Sequence, residues 1–188
     1  MDTAAPTPES DWSTYHDPAG VFSFQAPGAV SGVDHDQKAS LLGPYTMHFE
    51  AASTQHAQFQ LGVIDVTPVL TKHTEMEIIE SARDFIGDKF GTKNIVVSKC
   101  IVDGCQGMEY QIDLAEGAYP VGSKADFRLF IASGKLIEQI VLGAGNAVTG
   151  PDRNRFFKSL TLKASLKTGP TGSGPPAHNS TLMNGKTP

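Results

Sequence analysis

Hydrophobic and polar positions fall into separable blocks along this chain, and the blocks predict its elements in order. In "HDPAG" at 16–20 a proline in a turn-favoured position and a closing glycine mark a turn, and 21–26 then alternates with Phe22 and Phe24 on one strand face. Trp12 and Tyr15, spaced three apart, are expected on a helical turn that leads into that strand and covers the sheet edge as aromatic anchors. A looser stretch follows. "PYTMHFEAA" at 44–52 and "QFQLGVIDV" at 58–66 then predict two strands joined by the polar "STQHA". In the second strand Phe59, Leu61 and Val63 point one way and Ile64 and Val66 the other, which suits a strand covered on both faces; Pro68 ends it.

Thr74 and Glu77 form a T-x-x-E capping box, after which Ile78, Ala82, Phe85, Ile86 and Phe90 recur at helical spacing. The spacing predicts a helix over 75–90 lying on a sheet, with Gly91 at C′. "NIVVSKCIVDGCQGMEYQIDL" reads as a hairpin turning at Asp103-Gly104, a strong short-range hairpin signal. Pairing Val102 with Cys105 sets Val97 opposite Tyr110 and Ile95 opposite Ile112, an apolar face in register. "DFRLFIASGKLIEQIVL" predicts a second hairpin turning at Ser133-Gly134, with Phe127 opposite Ile140 and Ile131 opposite Leu136. Its nearly continuous apolar character marks central strands. Pro151 suits the first position of a short helix carrying Phe156, Phe157 and Leu160, and "LTLK" closes the domain as a strand.

Composition narrows the class. A chain of 188 residues, 39% hydrophobic and 19% charged, suits one domain with polar ends: a disordered tether at 1–10, a domain at 11–164, and a disordered Gly/Pro/Ser/Thr-rich tail at 165–188. The net charge of -5 comes with Lys and Arg scattered along the chain, which argues against a nucleic-acid partner. No apolar run reaches the roughly 18 to 20 residues of a membrane span. The opening "MDTAAPTPES" reads as a tether after a removed leader or lipid anchor, giving an extracytoplasmic protein; the alternative is a cytoplasmic protein with a short polar head, acting as a chaperone or adaptor.

With this order of elements in place, the chain resembles the PsbP-like superfamily. The residues carrying the likeness are Trp12, Tyr15, Gly20, Phe22, Phe24 and Pro27, then Gly104 and Gly107, then "RFFKSLTL" at 155–162. That superfamily covers extrinsic subunits of photosystem II, a Ran-binding nuclear-import factor, and many bacterial extracytoplasmic proteins and lipoproteins. The resemblance implies an α+β fold, an α/β/α sandwich around a mainly antiparallel sheet of about six or seven strands. It implies no single activity, because the fold serves mostly as a binding scaffold. The chain lacks the Trp that the photosynthetic members carry soon after the first strand's Pro, so a photosystem role is not carried across.

Chemistry-bearing residues are sparse. "DHD" at 34–36 has no companion metal ligands at helical or C-x-x-C spacing and reads as a solvated loop, so no metal is expected. "GAGNAVTG" at 143–150 has glycines spaced G-x-G-x-x-x-x-G and no preceding parallel βαβ unit, so it reads as a connection, and no cofactor is expected. There is no G-x-S-x-G elbow, and neither cysteine has a local activating partner. Asn179-Ser180-Thr181 fits a glycosylation sequon in the tail. The polar grouping retained as a candidate binding site is Glu109, Arg128 and Glu138, expected near the sheet centre, with Glu138 on the face of Phe127 and Leu129. Either an arginine ion pair or a cleft carboxylate with a raised pKa accounts for it. Cys100 and Cys105 become diagonal neighbours on one hairpin face, so a disulfide forms only if the hairpin twists or the turn widens; otherwise both remain free thiols. The expected protein is a non-enzymatic monomer that binds a protein or small ligand through a sheet-helix cleft, with an enzyme of undetected type, such as a hydrolase, as the competing class.

Overall fold

The computed structural model describes residues 11–90, 95–114 and 119–163. In chain order the elements are β1 (Trp12–His16), β2 (Phe22–Pro27), β3 (Ser31–Ala39), β4 (Gly43–Ser53), β5 (Ala57–Asp65), α1 (Thr67–Leu70), α2 (Glu75–Phe90), β6 (Ile95–Val102), β7 (Cys105–Asp113), β8 (Ser123–Ala132), β9 (Lys135–Ala144), α3 (Pro151–Ser159) and β10 (Thr161–Leu162). The tails expected at 1–10 and 165–188, the C′ glycine at 91 and the sequon at 179–181 lie outside the described residues.

Seven strands form one antiparallel sheet in the order β3-β4-β5-β9-β8-β7-β6. Both expected hairpins have the expected register, with Val102 opposite Cys105 and Ile131 opposite Leu136. Asp103 (φ 49°) and Gly104 (φ 86°) both sit in the left-handed region, as do Ser133 (φ 47°) and Gly134 (φ 75°). Positive φ at both turn residues matches the twist of the flanking strands, which is why these dipeptides fix the pairing.

Alternation gives the sheet two apolar faces. Met47, Phe49, Tyr110, Phe127, Leu129 and Ile131 face α2, which buries Ile78, Ile79, Ala82 and Ile86 against them. The capping box forms as read: the Glu77 carboxylate accepts from the Thr74 backbone N–H at 2.8 Å, and the Glu77 N–H donates to Thr74 Oγ1 at 3.3 Å. Phe85 is only partly buried and Ile79 takes the inward place, a rotation of the expected helical face.

The opposite face packs Phe59, Leu61, Phe130, Ile137 and Val141 against a second layer. That layer combines α3 with a small sheet in the order β1-β2-β10. Trp12 and Tyr15 therefore belong to a strand, not to the expected helical turn: Tyr15 pairs with Phe24 across β1 and β2. The strand wins because its backbone gains a partner in β2, while its aromatic rings still reach the core, Trp12 on Phe59 at 5.7 Å and Tyr15 on Phe24 at 5.3 Å. Pro151 opens α3 as expected. The stretch 31–39, expected as loose chain, is a nine-residue strand paired along its whole length with β4.

Candidate functional site

A cleft of about 660 Å³ lies between α2 and the sheet, with β3, β4, β5, β8 and β9 supplying its floor and far wall. Register explains why polar side chains reach it. Gln60 of β5 is opposite Ile140, and Glu138 of β9 is opposite Gly62 and Leu129, so all of them project to the α2 face. At Gly62 a Cβ would come within 2.6 Å of the Phe49 ring and 2.7 Å of the Met47 sulfur. The glycine is what lets those two side chains lie flat over β5 beside Glu138. Phe49, Phe90, Phe127 and Tyr119 supply aromatic wall, and Lys89 stands exposed at the C-terminal end of α2.

Glu138 is the chemically distinctive group. It is 3% exposed, lines the cleft, and has no hydrogen-bond or ion-pair partner among the described residues. Burial raises its carboxyl pKa from 4.5 to about 7, only partly opposed by the field of Lys89. Gln60 is 7% exposed in the same cavity. Gln37 accepts a hydrogen bond from the Tyr45 hydroxyl at 3.0 Å. Burial, with the Glu138 charge second, pushes the phenols of Tyr45 and Tyr110 upward, so both stay protonated. Burial and the Lys89 charge lower the His35 pKa, and its ring makes a T-shaped contact with Phe49.

The other two retained residues lie on the opposite face. Glu109 and Arg128 are cross-strand partners on β7 and β8, and the Arg128 guanidinium donates to Glu109 Oε2 at 2.9 Å. Arg153 of α3 joins them, donating to Glu109 Oε1 and, at 2.7 Å, to Asp126 Oδ2. Both guanidinium groups stack on the Phe157 ring, at 4.5 Å and 4.4 Å from its centre, and Arg128 also donates to the Phe157 carbonyl. Burial pushes Glu109 up, but the arginine hydrogen bonds outweigh it and hold the carboxyl low; for Asp126 burial wins and the net direction is upward. A shallower cleft of about 360 Å³ opens beside this network. The expected trio is thus divided by the sheet: Glu109 and Arg128 act together with Arg153 and Asp126, and Glu138 stands alone beneath α2. Nothing in one dimension places α3 over β7 and β8, which is why Arg153 was not among the expected residues.

Cys100 and Cys105 are free thiols on the face turned away from α2, Cys100 opposite Gly107 and Cys105 opposite Val102. Burial raises both pKa values, so neither is an activated thiolate. The "DHD" segment, expected as a loop, lies in β3, where Asp34 bonds His48 at 2.6 Å and Asp36 accepts from Thr46 at 2.7 Å; cross-strand pairing with β4 supplies these partners. "GAGNAVTG" runs from the end of β9 to the start of α3 and buries Val148.

The topology defines a PsbP-like fold. The solution structure of cyanobacterial PsbP (CyanoP) from Synechocystis sp. PCC 6803 is similar over 87% of this chain and 99% of that one, at a TM-score of 0.52 and 12% sequence identity. A Pseudomonas aeruginosa protein of unknown function aligns with 73% of this chain and 86% of its own length, at 8% identity and a TM-score of 0.39, too low to support an argument. No family model and no curated protein sequence matches the chain. Among the described residues no helix is long and apolar enough to cross a membrane.

Proposed function

We propose that this domain is a non-enzymatic, extracytoplasmic binding module that takes a small ligand into the cleft between α2 and the main sheet. The observation that carries the reading is Glu138, a carboxyl that is buried, unpartnered among the described residues, and directed into a cavity of ligand size. A buried polar group without a partner costs stability, and a ligand that satisfies it recovers that cost. Binding is favoured over catalysis because no nucleophile, orienting donor or second acid is hydrogen-bonded to Glu138 among the described residues. The extracytoplasmic part rests on the resemblance to exported PsbP-like proteins alone.

The binding part is tested by protein-observed NMR with a library of neutral, cationic and anionic fragments. Shifts should gather on residues lining the α2 cleft, Val33, Gln60, Phe127 and Ile140 among them. Shifts gathered around Arg153, or no shift from any fragment, would overturn it. Fractionation of the source cells tests the compartment, and recovery in the cytoplasm would remove that part of the reading.

A further inference from the structure

We infer that the occupant of the α2 cleft is a small organic cation, an apolar body ending in a protonated amine whose ammonium sits against Glu138. This rests on the cleft being the binding site and adds the ligand class. Glu138 is the one carboxylate among the described residues lining the cavity. An ionised carboxylate only accepts hydrogen bonds, so its natural partner brings donors and positive charge. Lys89 acts on it through the field alone, without an ion pair. The compensating charge at the floor of the cleft is therefore left for the ligand to bring.

The surroundings favour the same chemistry. Gln60 has a carboxamide oxygen able to accept a second ammonium hydrogen, and its buried side chain shares the cavity with Glu138. The rings of Phe49, Phe90 and Phe127 line the walls, and aromatic faces attract a desolvated cation. The titratable groups that face Glu138 are Tyr45 from β4, Tyr110 from β7 and Lys89 from α2, with His35 of β3 in the same cavity. At pH 8 both phenols are protonated and the lowered His35 is neutral, so none of these three adds a charge that opposes an ammonium at the floor. Lys89 does oppose it, but from an exposed position at the helix end. A fatty-acid-like anion fits worse: its carboxylate either meets Glu138 as a like charge or stops at Lys89 and leaves an alkyl chain against an unpaired carboxyl.

The test compares three probes of similar shape on the full chain: 2-phenylethylamine, 2-phenylethanol and 3-phenylpropionate, by isothermal titration calorimetry at pH 8. The amine should bind about tenfold more tightly than the alcohol, the scale of one charge-assisted hydrogen bond, and the propionate should bind most weakly. Glu138→Gln should collapse the amine's advantage over the alcohol. In the unmodified protein that advantage should also grow from pH 5.5 to pH 8 as Glu138 ionises, which needs no variant to fold. An alcohol that binds as well as the amine, or an advantage independent of pH, overturns the cation while leaving the cleft as the binding site. Failure of all three probes also overturns it, and the fragment experiment then decides separately whether the cleft binds anything.

Discussion

The two faces of the main sheet each bury a carboxylate, and they treat it in opposite ways. On the α3 face Asp126, 5% exposed, meets Arg153, which also holds Glu109, which in turn holds Arg128; the charges close on one another beneath Phe157. On the α2 face Glu138, 3% exposed, meets an open cavity. A buried charge inside a complete hydrogen-bonded set is architecture. A buried carboxylate left incomplete beside a ligand-sized space is the ground for the proposed binding site, and the contrast between the faces separates the two cases without any motif to help.

Packing gives the largest way to break that contrast. Phe156 is fully buried between Phe24, Phe59 and Phe157, so Phe156→Ala should cost about 4 kcal/mol in urea denaturation. Phe90 borders the cleft and is partly buried, so Phe90→Ala should cost well under half as much. Equal costs would mean that the α2 face is as tightly filled as the other.

The ion network comes next. Arg153→Ala leaves Asp126 and Glu109 short of a partner in a largely buried place and should destabilise by about 3 kcal/mol at pH 7. A loss below about 1 kcal/mol would show the network to be solvated and the two faces to be more alike than they look.

Glu138 should respond with the opposite sign. Its folded pKa of about 7 lies above its ordinary 4.5, so the native state binds the proton more tightly than the unfolded chain does. Its contribution is present in full below pH 4.5 and lost as the pH rises through 7, a decline of up to about 3 kcal/mol. Glu138→Gln should flatten that part of the stability–pH curve and leave the variant about 2 kcal/mol more stable than the parent at pH 8. A variant no more stable than the parent at pH 8 would mean that Glu138 already has a partner.

Much of this fold was legible in the chain because its signals are local. Thr74 and Glu77 announce a helix start, Asp103-Gly104 and Ser133-Gly134 announce turns, and each acts within a few residues. Trp12 and Tyr15 misled because a spacing of three suits a helical turn, while the backbone partner that makes the segment a strand, β2, follows only after the turn. The strand β3 was missed for a more instructive reason. Its positions facing α2 are Val33, His35, Gln37 and Ala39, and the polar pair among them lines the cleft. Alternation was present, but two of the inward places carry polar side chains that line the cleft, so the hydrophobic signal was weakened there. Glu138 was visible because a lone charge interrupts an apolar strand; its separation from Glu109 and Arg128 was not, since facing depends on register across several strands.

The pairing of β5 with β9 also predicts an order of assembly. The β3-β4-β5 meander and the β6-β7-β8-β9 meander each join strands that follow one another in sequence, and such contacts form quickly. The seam between β5 and β9 brings together segments from opposite sides of α2 and must wait for a long loop to close. Gly62 and Glu138 face each other across that seam. The cleft is therefore absent until the two halves of the chain have docked, and a ligand held there would slow their separation more than it hastens their meeting.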